Sequence, residues 1–179
     1  MENGTQDDLP FLDEVINVYE AIENCLNQLV KNDFHLLQLD LNERTISGQL
    51  ARYLQEVFRE WHVDCEYNRN HDDAKRLELY PRKSSSVRQF NNTFGRTVFP
   101  DIIIHKRGGS ENFVVIEVKK TTSCESEEFD IRKLKAFKNQ LGYEYAVFVN
   151  LGAGRSVGYH EIKFVNLMDE VVCYKITEM

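Results

Sequence analysis

The 179 residues predict an α/β domain in which helices pack on one mixed sheet, and three features carry that prediction. Apolar residues recur every three or four positions over 10–30, 42–60 and 127–140. Short β-branched runs fill the intervals, and glycine, proline and polar clusters punctuate them. Hydrophobic residues at 42% and charged residues at 28% argue against wholesale disorder, collagen-like repetition and a membrane protein. A chain of this length can bury a core as one domain over 1–179 without disulfide or metal staples.

The first helix, 10–30, follows Pro10 and places Phe11, Val15, Ile16, Tyr19, Ile22, Leu26 and Leu29 on one face, with acids on the other. A second, about 42–60, begins in LNERT and repeats the pattern with Ile46, Leu50, Tyr53, Leu54, Val57 and Phe58. WHVDCEY then alternates Trp61, Val63, Cys65 and Tyr67 against polar residues, as a strand with one wet face does. Residues 68–96 read as a basic loop. TVFPDIIIH and NFVVIEV, joined by KRGGSE, form a hairpin; both runs are apolar on both faces, so they should be central strands covered on two sides. A helix at 127–140 carries Phe129, Ile131, Leu134 and Phe137 beside a basic flank, and YEYAVFVN returns as a strand. The tail, 151–179, adds two strands, EIKFVNL and VVCYKIT.

The net charge of −7 argues against binding nucleic acid through overall charge, but it averages unlike segments. Residues 1–66 carry 14 acids and 4 bases, 67–107 carry 4 acids and 9 bases, and 108–179 carry 11 acids and 9 bases. The middle stretch, with Arg69, Arg82, Lys83 and Arg88, is either a solvated polar loop or a segment that touches phosphates. Four cysteines without a CxxC pair support neither a zinc ribbon nor a redox motif, and are expected to be reduced and mostly buried. The acidic start MENGTQDDLP is unlike a signal peptide, and no apolar run reaches the roughly 20 residues of a membrane span. A cytoplasmic protein is the default expectation.

The informative segment is FPDIIIHKRGGSENFVVIEVKK. A turn centred on Gly109 pairs positions whose numbers sum to 218, so Asp101 lies opposite Glu117 with Cβ atoms roughly 5 Å apart. Side chains alternate along a strand, so Glu117 and Lys119 share a face and Val118 does not. One surface thus presents two carboxylates and an ammonium. Neighbouring carboxylates in an apolar hairpin repel and desolvate each other unless a cation compensates them. Hard oxygen ligands with open positions suit Mg2+ or Mn2+. Beside such an ion Lys119 can hold a water and stabilise charge on phosphorus, the requirements of phosphodiester hydrolysis. The plain alternative is that Asp101 and Glu117 are solvated strand-end residues.

Pro100-Asp101 and Glu117-Val118-Lys119, set in the order αβββαβ from about 42 to 150, resemble the PD-(D/E)XK nuclease superfamily. VDCEYNR, FPDIIIHKRG and IEVKK also look like small uncharacterised bacterial proteins of that group, which makes Tyr67 and Arg69 candidates for shaping the site. The resemblance implies a restriction endonuclease-like core with an extra N-terminal helix and a β-rich tail. It also implies cleavage of nucleic acid, DNA before RNA, that leaves a 5′-phosphate and a 3′-hydroxyl. Asp101 and Glu117 would bind metal, Lys119 would position the attacking water, and Glu43 on the preceding helix would complete the metal site. Glu43 is equally readable as an acid favoured by the helix dipole in a first turn. By the same resemblance Lys133 or Gln140 would meet the substrate backbone, although a solvated helix face explains both more simply. A second function class fits too: a catalytically silent nuclease-fold subunit of a defence or repair complex, with the acidic N-terminal helix as partner surface or dimer face. A third is a nuclease active only in an oligomer or with an activating ligand.

Other motifs carry less. GAGRSVG at 152–158 has the wrong glycine spacing for a dinucleotide fingerprint and precedes a strand, so it reads as a connection. There is no Walker A lysine motif, HxxxH pair or GxSxG elbow, and His105, on the Asp101 side of its strand, reads as a surface or core histidine.

Overall fold

A computed structural model describes residues 9–67, 69–70, 73–74, 76–77, 96–97 and 99–177. Among them run α1 (Leu9–Asn32), α2 (Phe34–Gln38), α3 (Glu43–Val57), β1 (His62–Cys65) and four two-residue strands, β2 (Arg69–Asn70), β3 (Asp73–Ala74), β4 (Arg76–Leu77) and β5 (Arg96–Thr97). They continue with β6 (Ile102–His105), β7 (Asn112–Lys120), α4 (Glu128–Leu141), β8 (Tyr145–Leu151), β9 (His160–Val165) and β10 (Val171–Thr177). One mixed sheet takes the order β1-β6-β7-β8-β9-β10. All its pairings are antiparallel except β7 with β8, which are parallel and joined through α4.

The sheet is covered on both faces, as the doubly apolar hairpin strands require. On one face Ile102, Ile104, Val114 and Ile116 pack with Ile22 and Leu26 of α1 and Ile46, Leu50 and Leu54 of α3. On the other, Ile103, Val115 and Phe148 meet Leu134 and Phe137 of α4. Pleat alternation therefore assigns each side chain of β6 and β7 to one layer, and Asp101, Glu117 and Lys119 fall on the α4 side. The hairpin register is Ile102↔Ile116, Ile103↔Val115 and Ile104↔Val114, the expected pairing, and it slips by one residue at His105↔Asn112 next to the turn.

Local signals explain the ends. Asn42 caps α3 by accepting from the Thr45 backbone N–H at 2.8 Å and the Thr45 hydroxyl at 3.0 Å. Gly142, at φ 69°, ends α4 in the left-handed conformation that only glycine adopts without strain. A Cβ at Gly152 would stand 1.8 Å from the Ser156 carbonyl oxygen, so GAGRSVG is a tight connection into β9.

Several expectations need correction. The second helix stops at Val57, which is exposed, because Phe58 leaves helical geometry and packs its ring on Phe113. The basic stretch is not loop throughout: β2 pairs with β3 and β4 with β5, and Leu77 is buried against the α4 layer. Cys25 alone is buried; Cys65, Cys124 and Cys173 are exposed. The N-terminal helix that is extra to the resemblance is packed in, not overturned: its Val18, Ile22, Cys25, Leu26 and Leu29 belong to the main hydrophobic core.

His160 at the start of β9 is buried, and neither ring nitrogen has a partner among the described residues. Burial holds its imidazole below the ordinary value, with Glu23 opposing and Lys175 reinforcing the shift. The unfolded chain takes up this proton near pH 6.5 while the folded chain resists, so stability falls as pH drops through that value. Urea denaturation at pH 7.5 and 5.5 isolates this contribution as a difference: native protein should lose stability relative to His160→Phe as the pH falls, whatever the carboxylates add to both. An identical pH dependence in the variant would refute the assignment.

Candidate active site

The site forms where the end of β7 meets the first turns of α4. Pro100 is buried, and the carbonyls of Pro100 and Asp101 both accept from the Glu66 backbone N–H, at 3.1 and 3.3 Å, which ties the PD dipeptide to the end of β1. Asp101 turns across the hairpin, and its Oδ2 accepts from the Val118 backbone N–H at 2.8 Å. Glu117 is 1% exposed; its Oε2 accepts from the Lys133 ammonium at 2.5 Å, while its Oε1 has no partner among the described residues. Lys119 is buried and donates to Asp130 Oδ2 at 2.8 Å. Asp130 Oδ1 lies 3.7 Å from the Lys133 ammonium. Three carboxylates and two ammonium groups therefore share one buried cluster.

That cluster carries one negative charge too many, and the titration directions agree. Burial raises the Asp101 carboxyl, with the Val118 N–H and Lys133 only partly offsetting it. Burial also pushes Glu117 well above the ordinary glutamate range, and the Asp101 charge pushes it further. Burial would lower the Lys133 ammonium, but Glu117, Asp101 and Asp130 outweigh it and raise its affinity for the proton. At an effective dielectric of about 20, two carboxylates about 5 Å apart repel by about 3 kcal/mol. A hydrogen-bonded lysine relieves part of this, and the unpartnered Oε1 is where further positive charge is missing.

Asp101 and Glu117 are accordingly the donors that suit a cation. Among the described residues no three His, Cys, Asp or Glu side chains converge as a complete ligand set. Two carboxylates suit an ion that keeps several of its own waters, the habit of Mg2+ and chemically similar Mn2+. Glu43, at the first position of α3, accepts from the Lys120 backbone N–H through its Oε1 at 3.3 Å, and backbone N–H groups two residues apart point to the same edge of a strand, so it stands on the edge of β7 where Asp101 holds the Val118 N–H. It is near enough to add to the charge on Asp101 but is not drawn into the cluster.

Lys133 departs from the solvated helix face offered as its simpler reading. Its side chain is 12% exposed and faces Glu117, because Asp130, Lys133, Leu134 and Phe137 share the inward stripe of α4. Asp130 is the residue that sequence reasoning missed. A carboxylate four positions before Leu134 and seven before Phe137, on the apolar stripe, was the available signal. Lys120, next to Lys119, points away: it donates to Asp40 Oδ1 at 2.7 Å and to the Leu41 carbonyl at 2.8 Å, tying the end of β7 to the loop before α3.

His105 belongs to a separate cluster. Its Nε2 lies 2.9 Å from Asp64 Oδ2, its ring is 4.7 Å from that of Tyr67, and Arg107 grips both Asp64 oxygens. Burial alone would raise Asp64, but the hydrogen bonds from Arg107 and His105 prevail and hold it below the usual carboxylate range. This bracket joins β1 to the end of β6, and the Tyr67 ring packs against it. The Arg69 side chain and all of Arg82, Lys83 and Arg88 lie outside the described residues.

Comparison with protein-family models, with curated proteins and with solved structures finds no match for this chain. The described residues form a mixed α/β fold with a six-stranded mixed sheet and four α-helices, and among them no helix is long and apolar enough to cross a membrane.

Proposed function

We propose that the protein is a Mg2+- or Mn2+-dependent nuclease of the PD-(D/E)XK type acting on DNA. The observation that carries this reading is half-buried Asp101 across the hairpin from buried Glu117, whose Oε1 has no partner among the described residues, with Lys119 on the same strand face. The layout supports it as well: a helix, three antiparallel strands, a helix and a parallel fourth strand follow in that order as α3, β1-β6-β7, α4 and β8. Asp101 and Glu117 would hold the ion, which when bound supplies a Lewis acid for a phosphate oxygen and an acidified water. Lys119, held by Asp130, would orient that water and offset charge on the phosphorus. Glu43, whose Oε1 holds the Lys120 backbone N–H beside Asp101, would complete the site directly or through a water.

Incubation with single- and double-stranded DNA and RNA in Mg2+, Mn2+ or EDTA tests the proposal. Metal-dependent cleavage supports it, and no cleavage of any substrate in either metal counts against it. The basic segment gives a further expectation. If Arg82, Lys83 and Arg88 meet phosphates, reversing their charges should reduce the slope of log K against log salt by about 0.9 per lost duplex contact. An unchanged slope would assign binding elsewhere.

One observation favours a non-catalytic binding or regulatory module with the same fold: both lysines of the cluster are already paired, Lys119 with Asp130 and Lys133 with Glu117. Calorimetry with Mn2+ separates the readings. Heat that disappears in Asp101→Ala supports the metal site, and no heat in the native protein favours the module.

A further inference from the structure

We propose that Lys133 is the resident counter-ion of the Asp101–Glu117 site, displaced toward Asp130 when a divalent cation binds. The inference rests on the metal-site reading above and adds to it how entry of the ion is controlled.

Lys133 projects from α4, not from the hairpin that bears the carboxylates, and its ammonium lies between two acceptors. Glu117 Oε2 is 2.5 Å away and Asp130 Oδ1 is 3.7 Å away, in an i,i+3 relation on the same helix. Rotation about the outer lysine torsions carries the charge from one to the other without moving the helix. A divalent ion on Glu117 and an ammonium on the same carboxylate are like charges in a site screened from water, so each weakens the hold of the other and the ammonium gains by moving to Asp130. Asp130 can receive the ammonium because it already accepts from Lys119 through its other oxygen, Oδ2, and keeps Oδ1 toward Lys133. Without metal the ammonium limits the cost of burying Glu117; with metal it stays beside the site on Asp130. Metal binding and the position of Lys133 are thus one equilibrium, and the cost of displacement lowers the apparent affinity for the ion.

Calorimetric titration with Mn2+ of the native protein, Lys133→Met, Asp130→Asn and the double variant tests this, with melting temperatures in EDTA and in Mn2+ as a second readout. Lys133→Met should bind Mn2+ at least tenfold more tightly than the native protein. It should melt lower in EDTA and show a larger upward shift in Mn2+. Asp130→Asn should weaken Mn2+ binding several-fold in the native background and change it little in the Lys133→Met background, where no ammonium needs a berth. Equal or weaker Mn2+ binding by Lys133→Met overturns the inference. If native protein binds Mn2+, Glu117→Gln abolishes it and Lys133→Met does not tighten it, this inference alone fails. If native protein shows no Mn2+ binding, the metal-site reading fails and takes the inference with it. Should Lys133→Met not fold, the crystal structure of native protein soaked in Mn2+ decides. Lys133 beside Asp130 supports displacement, and Lys133 still bonded to Glu117 with Mn2+ seated overturns it.

Discussion

Glu117→Gln is expected to abolish Mn2+ binding and to lower cleavage by about a hundredfold or more, yet to raise the melting temperature of the metal-free protein. The two effects have one cause. Glu117 is buried beside Asp101 with one oxygen that has no partner among the described residues, so its negative charge suits a cation and is costly without one. Glutamine keeps the shape, lets its carbonyl accept from Lys133 and removes the repulsion. Relief of an uncompensated buried group is worth about 1–3 kcal/mol, which at about 2–4 °C per kcal/mol for a chain of this size is a shift of several degrees. The effect has a pH signature. A carboxyl raised in the folded state binds its proton more tightly there than in the unfolded chain. The native protein in EDTA should therefore lose stability as pH rises from about 4.5 through the raised values of Asp101 and Glu117. The variant should lose less over that range, and Mn2+ should flatten the native curve. A variant that melts below native protein in EDTA at neutral pH would show that Lys133 already compensates Glu117 in full.

Lys119→Met should reduce cleavage by about 10²–10⁴-fold while leaving Mn2+ binding no weaker than in native protein. Methionine preserves most of the buried stem and removes only the ammonium that Asp130 holds at 2.8 Å. Loss of one positive charge makes the cluster more negative, so a cation is bound at least as well. An ammonium that acts at the transition state predicts a fall in kcat with little change in KM. Cleavage that persists at the native rate would remove Lys119 from the mechanism. A proportionate loss of Mn2+ binding would assign it a structural role.

Much of this was legible in the order of the residues because it depends on period and turn. The α4-side placement of Asp101, Glu117 and Lys119 follows from strand alternation once the turn at Gly109 sets the register, and the paired isoleucines and valines keep that register. The slip near the turn changes it only at His105. Less legible were the short strands of the basic stretch, since two-residue ladders carry no period, and the burial of Cys25 but not of Cys65, Cys124 or Cys173. The short helix α2 went unread because five residues span little more than one turn.

The residues themselves determined that two carboxylates and a lysine meet on one face of a central hairpin, since local alternation and one turn suffice for that. Only the tertiary structure decided which side chains answer them. The packing of α4 on the sheet turns Asp130 and Lys133 inward to Lys119 and Glu117, while α3 leaves Glu43 on the backbone of Lys120. Such pairings depend on the rotation and approach of one helix against one sheet, set by Leu134 and Phe137 packing on Ile103 and Val115, contacts between residues far apart in the chain.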